Sequence, residues 1–234
     1  MIEITNLTKD YNGQIAVDIP QLKIEKSESF GLVGNNGAGK TTLFRLILDL
    51  IRPTTGGVLS KEEKVMGSSH WKYYTGSFLD EGFLIDFLTP LEYFKFVGSL
   101  QGLEDGDINE LINKNKDFLS DDILGGKKYI RDLSQGNKKK VGILASFLAD
   151  PEVLVLDEPF ANLDPSTVSR LINMLNNMKK EKGTTLLISS HDLNHVTEVC
   201  ERIVILDESK IVHDIKTSDD TLKELENYFA VKEE

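Results

Sequence analysis

Residues 30–42 read Phe-Gly-Leu-Val-Gly-Asn-Asn-Gly-Ala-Gly-Lys-Thr-Thr, and this stretch decides the fold. Within it, residues 34–41 fit the phosphate-binding loop pattern, in which two glycines bracket four residues and a Lys-Thr pair follows. Glycines let the backbone bend tightly, so that successive amide N–H groups point into one concavity and contact phosphate oxygens. A glycine-rich surface turn is the alternative. The buried strand-like run before the loop and the helical apolar spacing after it favour a nucleoside triphosphate site.

Each residue type in the loop has a predicted role. Lys40 supplies positive charge for the β- and γ-phosphates, and the Thr41 hydroxyl can ligate Mg²⁺. The N-terminus of the following helix adds its dipole to the phosphate site. The nucleotide-binding residues predicted from this loop are Gly34, Asn35, Asn36, Gly37, Ala38, Gly39, Lys40, Thr41 and Thr42.

Composition limits the class of protein. The chain has 234 residues and a formal net charge of −11, with a pI of about 4.9. Nucleic-acid binding normally needs a basic surface, so no nucleic-acid partner is expected, although a local basic patch can exist within an acidic total. The single cysteine, Cys200, cannot form an intrachain disulfide, which favours a reducing cytosol. No leader-like segment opens the sequence, and no stretch approaches the roughly 18 apolar residues of a membrane-spanning helix.

The order of apolar runs predicts an α/β fold. Residues 1 to about 30 contain strand-like runs interrupted by Asn12-Gly13 and Pro20, which predicts a small antiparallel sheet. Buried strand-like runs then alternate with helices, as in a mainly parallel sheet covered on both faces. We interpret the chain as one domain, 1–234, divided into a catalytic core with its β-subdomain (about 1–85 and 132–216), a helical insertion (about 86–131) and a C-terminal helix (217–234).

A second motif supplies two carboxylates. The apolar run 153–156 is followed by Asp157-Glu158-Pro159, at the carboxyl end of a predicted strand, where ligands bind in open α/β sheets. Asp157 is predicted to hold Mg²⁺, and Glu158 to polarise the attacking water beside the γ-phosphate. A second pair, Asp207-Glu208, also follows an apolar run, but no proline comes after it. We interpret that pair as an exposed hairpin turn.

Residues 133–137, Leu-Ser-Gln-Gly-Asn, lie just before the helix that leads to this strand. They resemble the Leu-Ser-Gly-Gly-Gln signature of ATP-binding cassette (ABC) proteins. The ordered set of motifs, from residue 2 to about 212, is similar to the same family. The resemblance implies a P-loop NTPase core with a mainly parallel sheet, an N-terminal antiparallel β-subdomain and an inserted helical signature subdomain.

The resemblance also implies roles for residues outside the loop. Tyr11 would stack on adenine, and His191 would sense the γ-phosphate beside the catalytic Glu158. Ser134, Gln135 and Gly136 would contact ATP bound to a second cassette, with Asp164 in the neighbouring D-loop. Ser134 also fits an ordinary helix cap, and capping and phosphate contact use the same geometry. ATP and Mg²⁺ are the implied cofactors.

Three departures from the family pattern stand out. Asp80 occupies the position where the Q-loop carries Gln or sometimes Glu, and we count it with Thr41 and Asp157 as a candidate metal ligand. The signature has Gln135 for Gly and Asn137 for Gln. The run 138–140 of three lysines is interpreted as a solvated helix face, with attraction of nucleotide phosphate across a dimer as the alternative. A zinc site at His191 and His195 is disfavoured because no third ligand is evident.

The function expected from the resemblance is ATP hydrolysis in a transporter subunit. A second ABC ATPase subunit, as a homodimer, and a separate integral membrane permease are the implied partners. The cassette would therefore be cytoplasmic and peripheral on the inner face of the cell membrane. The insertion, with Phe83, Phe87 and Tyr93 near its start, is the expected docking surface, and residues 76–89 resemble export or ABC-2 type cassettes. A soluble ABC ATPase that acts on ribosomes, nucleic acid or an assembly scaffold is the alternative.

Overall fold

The computed structural model describes residues 1–125, 128–218 and 220–230. The strands within these ranges are β1 (Ile2–Tyr11), β2 (Gln14–Ile24), β3 (Ser29–Val33), β4 (Thr55–Ser60), β5 (Glu63–Lys64), β6 (Thr75–Phe78), β7 (Val153–Asp157), β8 (Thr185–Ser190), β9 (Arg202–Asp207) and β10 (Lys210–Lys216). The α-helices are α1 (Lys40–Ile47), α2 (Pro90–Leu100), α3 (Asp105–Lys114), α4 (Asp121–Leu124), α5 (Gln135–Ser146), α6 (Pro165–Asn177), α7 (Leu193–Val199) and α8 (Thr221–Ala230). A π-helical turn, Met178–Lys182, extends α6, and short 3₁₀ turns include Glu81–Phe83.

The amino-terminal part forms the predicted antiparallel sheet, in the order β2-β1-β4-β5. Asn12 and Gly13 both have positive φ, the backbone that a tight two-residue hairpin requires. Pro20 does not interrupt the sheet as expected, because β2 continues through it to Ile24. Since β2 lies at the edge of the sheet, the missing N–H of proline costs no ladder hydrogen bond.

The second sheet has the order β10-β9-β3-β8-β7-β6 and confirms the predicted mainly parallel arrangement. Its strands β9, β3, β8, β7 and β6 run parallel, and β10 returns antiparallel to β9. Strands β3, β7 and β8 are buried along their whole length, as expected for strands covered on both faces. Strand β6 was not predicted, because its four residues include Gly76 and lack an apolar run. Tight packing explains that glycine, since a Cβ on Gly76 would lie 2.0 Å from the Ser146 carbonyl oxygen.

The region expected to be a helical insertion contains α2, α3 and α4. Helix α2 begins at a capping box in which Thr89 and Glu92 satisfy each other's backbone N–H groups, with Pro90 at the first helical position. Phe94, Ile108 and Phe118 are buried in a core that continues under α5 and α6. The closing helix forms as α8, and the last four residues of the expected C-terminal segment lie outside the described residues. The division into three segments stays a prediction.

The order of the central strands places the chemistry-bearing segments side by side. Strand β8 lies between β3 and β7, and all three run parallel. The glycine-rich loop follows β3, Asp157 ends β7 and His191 follows β8. Because parallel strands end at the same edge of a sheet, the three segments meet there.

Candidate functional site

The glycine-rich loop connects β3 to α1 through a backbone that only glycine adopts easily. Gly39 has φ of 110° and a Cβ there would lie 2.3 Å from the carbonyl oxygen of Ala16. Gly34 is equally constrained, since its Cβ would lie 2.2 Å from the Leu206 carbonyl oxygen. Helix α1 begins at Lys40 without a side-chain cap, so its first amide N–H groups remain available to an anion.

Lys40 lies almost completely buried beneath this loop. Its ammonium donates a hydrogen bond of 2.6 Å to the carbonyl oxygen of Gly34 and a longer one, 3.4 Å, to that of Asn35. The same Nζ atom lies 3.5 Å from Oε1 of Glu158. The loop's own carbonyls and the Glu158 carboxylate thus hold the positive charge where phosphate oxygens are expected.

The structure brings Asp157 and Thr41, two of the predicted metal ligands, into contact. The Thr41 hydroxyl donates a 2.5 Å hydrogen bond to Oδ2 of Asp157, and the Ser189 hydroxyl donates to Oδ1. Burial raises the pKa of the Asp157 carboxyl, and the hydrogen bonds from Ser189 and Thr41 oppose that rise. A hydroxyl beside a buried carboxylate is a set of hard oxygen donors, so these two residues fit Mg²⁺.

Glu158 and His191 also come together. Nδ1 of His191 lies 2.8 Å from Oε2 of Glu158, and the backbone N–H of His191 donates to the same oxygen at 3.3 Å. The Glu158 backbone is left-handed, with φ of 47°, and its N–H donates to the Ser189 hydroxyl at 2.9 Å. Left-handed backbone is costly for a residue with a Cβ, so neighbouring contacts must hold Glu158 in place.

The signature residues occupy the start of α5. Ser134 is the N-cap, and its hydroxyl accepts a hydrogen bond from the Asn137 N–H at 3.3 Å. Ser134 and Gln135 are exposed, which leaves them accessible to a partner. A Cβ on Gly136 would lie 3.0 Å from the Asn162 carbonyl oxygen, so this glycine lets α5 approach the D-loop. Nucleotide contact by these residues stays a prediction.

The remaining predicted nucleotide-binding residues have local partners. Asp164 is the N-cap of α6, and its carboxylate accepts hydrogen bonds from the Ser166 hydroxyl and from the Thr167 hydroxyl and N–H. Tyr11 ends β1 with about half of its surface exposed, and the Lys9 ammonium lies 4.7 Å from its ring centroid. An exposed aromatic ring remains available for stacking, and the adenine role stays a prediction.

The structure does not bring Asp80 into contact with Thr41 or Asp157. Its Oδ1 accepts a 2.7 Å hydrogen bond from the Gly82 N–H, and its Oδ2 lies 3.7 Å from the Arg45 guanidinium. Within 1–125, 128–218 and 220–230, no group of three or more His, Cys, Asp or Glu side chains could hold a metal ion. A metal-binding role for Asp80 therefore requires a rearrangement and stays a prediction.

The expectation of a solvated lysine run was wrong for Lys139. Its side chain is buried, and its ammonium donates a 2.9 Å hydrogen bond to the Glu158 carbonyl oxygen. Lys140 is also largely covered and lies 3.9 Å from Asp164. The spacing in the sequence does not single out Lys139, because each of the three lysines lies four residues before a buried residue of α5.

His195, the second histidine of the disfavoured zinc site, is not exposed. It lies on α7 partly buried, its ring centroid 5.2 Å from that of Phe160 and its Nδ1 3.1 Å from Oδ2 of Asp192. His191 precedes α7, so the two histidines do not share one helix face. The sequence did not identify Ser189 as a site residue. Its position opposite Asp157 in the β7–β8 register explains why its hydroxyl contacts both the Asp157 carboxylate and the Glu158 N–H.

Several known proteins are similar to this chain over most of its length. A family model described as ABC transporter matches residues 17–161. An uncharacterised ABC transporter ATP-binding protein of Bacillus subtilis, YhaQ, is 35% identical over 99% of this chain and 75% of its own length. The bacitracin transport ATP-binding protein BcrA of Enterococcus faecalis is 31% identical over 94% of this chain and 70% of its own length. The methionine import ATP-binding protein MetN of Carboxydothermus hydrogenoformans is 31% identical over 92% of this chain and 66% of its own length.

Among solved structures, the ATP-binding cassette MJ0796, described as a dimer in a post-hydrolysis state bound to ADP and Pi, has the same fold. The TM-score is 0.83 at 22% identity, over 93% of this chain and 99% of that one. In the part of the chain that the structure describes, no helix combines the length and the apolar character that spanning a bilayer needs.

Proposed function

The chain belongs to the ABC transporter family of ATP-binding cassette ATPases, and from this membership we propose that it hydrolyses ATP in a cassette dimer that drives a separate membrane permease. The observation that carries the proposal is the meeting of Lys40, Thr41, Asp157 and Glu158 at one edge of the sheet. These side chains supply a phosphate-binding cation, metal-ligating oxygens and a general base.

Each residue has a separate task in this proposal. The loop amides and Lys40 bind the β- and γ-phosphates, which turns the ammonium away from Glu158 and frees that carboxylate for water. Thr41 and Asp157 would hold Mg²⁺, which when bound offsets charge on the phosphate oxygens. His191 orients Glu158 through its 2.8 Å contact, so that the carboxylate accepts a proton from the attacking water.

The position of the signature supports the proposed dimer. Ser134 and Gln135 are exposed at the start of α5, where amide N–H groups and the helix dipole favour an anion. By analogy with the family, the anion that binds there is the γ-phosphate of ATP held by a second cassette. A homodimer is the simplest assembly, because one chain carries both the phosphate loop and the signature.

A groove beside α5 is the surface we assign to the permease. Its volume is about 270 Å³, and exposed or partly exposed apolar side chains, among them Tyr73, Phe83 and Tyr93, line it. Exposed aromatic clusters of this kind mark protein–protein contacts. Phe87 is exposed but does not line the groove, so only Phe83 and Tyr93 of the three expected aromatics take part. Export remains our preferred direction, on the resemblance of residues 76–89 to exporter-type cassettes.

Purification from native membranes in mild detergent tests the proposal. We expect the full chain to copurify with a hydrophobic integral membrane protein, in a complex that hydrolyses ATP. The same complex made with Lys40→Ala should assemble but lose hydrolysis, because the loop loses its phosphate-binding cation. Recovery of the chain only on ribosomes or a soluble assembly scaffold would instead support the non-transport alternative.

A further inference from the structure

Lys139 joins three separate elements of the structure. It extends from α5, its ammonium donates to the Glu158 carbonyl oxygen at 2.9 Å, and Oε1 of Glu81 lies 3.8 Å from the same Nζ atom. Glu81 begins the 3₁₀ turn Glu81–Phe83, which leads into the groove beside α5. The Lys139 side chain therefore links the turn beside the groove, helix α5 and Glu158.

Burial makes these contacts necessary. Only 5% of Lys139 is exposed, and a buried ammonium is tolerated when it is paired and hydrogen-bonded. Burial lowers the pKa of Lys139, and the carboxylates of Glu81, Glu158 and Asp157 oppose that change. The surroundings of Lys139 therefore contain acidic groups of its own chain, which argues against a role in binding a partner's nucleotide.

The contact acts on a residue whose backbone needs support. Glu158 is left-handed, and its N–H donates to the Ser189 hydroxyl while its carbonyl oxygen accepts from Lys139. Both sides of the residue are thus fixed, and the direction of a side chain depends on the backbone that carries it. Removing the ammonium leaves Ser189 as the side-chain contact to that backbone.

We propose that Lys139 is a positioning residue that holds the backbone of Glu158 for hydrolysis, and that Glu81 holds Lys139 in that place. The inference rests on the proposed ATP hydrolysis. It also deepens it, because an occupant of the groove would touch both the turn that carries Glu81 and helix α5, whose Gly142 and Ala145 line the groove. Movement of either element changes the support of Glu158.

Steady-state kinetics of the full-length chain test the positioning role. Lys139→Met keeps the length of the buried side chain and should lower kcat for ATP about 10- to 100-fold, with KM within about twofold, since misplacing a catalytic group costs rate rather than binding. Lys139→Arg restores a cation and should recover most of the rate. Lys116→Met is the matched control, because Lys116 is exposed and its ammonium has no partner within the described ranges.

A double-variant cycle tests the role of Glu81. Glu81→Gln alone should lower kcat by a smaller factor, and Glu81→Gln combined with Lys139→Met should be no slower than Lys139→Met alone, because both changes act through one contact. Additive losses would overturn the claim that Glu81 acts through Lys139.

Hydrogen exchange over residues 155–162 gives a readout that does not depend on hydrolysis. We expect faster exchange in Lys139→Met than in Lys116→Met at equal melting temperature. Equal exchange, or kcat values that match those of the control, would overturn the inference. Should the wild-type chain hydrolyse no ATP, the proposed function fails, and the exchange result alone then decides whether Lys139 holds the Glu158 backbone.

Discussion

Nδ1 of His191 lies 2.8 Å from Oε2 of Glu158, on the side of the carboxylate opposite to the Lys40 contact at Oε1. The imidazole and the ammonium therefore hold the two oxygens of one carboxylate. Binding of a phosphate group would draw Lys40 away and leave His191 as the residue that fixes the orientation of Glu158. The roles of the Glu158 carboxylate and of His191 can therefore be tested by separate substitutions.

Glu158→Gln should keep ATP bound while hydrolysis falls at least about 100-fold, because the amide cannot accept the proton of the attacking water. Since ATP is then retained, the variant should elute as a dimer in ATP and as a monomer without nucleotide. Size-exclusion chromatography with a parallel ATPase assay measures both effects.

The matched control for that variant is Glu208→Gln. Glu208 also follows an aspartate after an apolar strand and has positive φ, but it is exposed in the turn between β9 and β10. Its hydrolysis rate should remain within about twofold of wild type, as for surface substitutions in general. Equal losses in the two variants would contradict the assignment of the base.

His191→Ala should lower kcat about 10-fold or more and leave ATP affinity unchanged, because the imidazole orients the carboxylate without holding the loop. His70→Ala is a close control, since Nδ1 of His70 lies 2.9 Å from Glu63 and its side chain is similarly exposed. A rate for His191→Ala that matches the rate for His70→Ala would exclude a role for His191. Nucleotide titration and initial rates distinguish the two parameters.

The site residues that could be predicted from the sequence lie in short motifs next to apolar runs. The glycines of the loop and Asp157-Glu158 after an apolar run define both the strand and the edge where ligands bind, and the mainly parallel sheet follows from the order of such runs. Lys139 could not be placed in the same way. Three consecutive lysines resemble an exposed face, and which of them turns inward depends on how α5 packs.

Contacts between distant segments account for the other missed features. Glu81 meets Lys139 across 58 positions in sequence, and Asp80 pairs with Arg45 of α1, neither of which local periodicity can specify. The sequence predicts a break at Pro20, but proline is tolerated in an edge strand. That β2 lies at the edge is a property of the assembled sheet, which the local sequence does not show. In each case tertiary packing, rather than local preference, determined the role of the residue.

Asp157→Asn should raise the Mg²⁺ concentration needed for half-maximal hydrolysis much more than Asp80→Asn does. Asp157 contacts Thr41 directly, whereas the carboxylate of Asp80 is engaged by Gly82 and Arg45. Magnesium titrations at saturating ATP measure the difference. Equal shifts in both variants would place Asp80 in the metal site and indicate that the 80–84 segment moves when nucleotide binds.

Asp164→Ala should destabilise the folded chain at pH 7 by about 1 kcal/mol, the usual value of an N-cap. Hydrogen bonds from Ser166 and Thr167 hold the pKa of the Asp164 carboxyl well below its usual range. A group whose pKa is lower in the folded state stabilises the fold above its unfolded pKa, and that stability is lost as the pH falls toward the folded pKa. The difference between Asp164→Ala and wild type should therefore be constant near neutrality and narrow below about pH 4. Urea unfolding at pH 7 and pH 3.5 measures it, with Asp164→Asn as the control that retains the cap. A difference that stays constant across this range would show that the carboxylate charge contributes nothing to the cap.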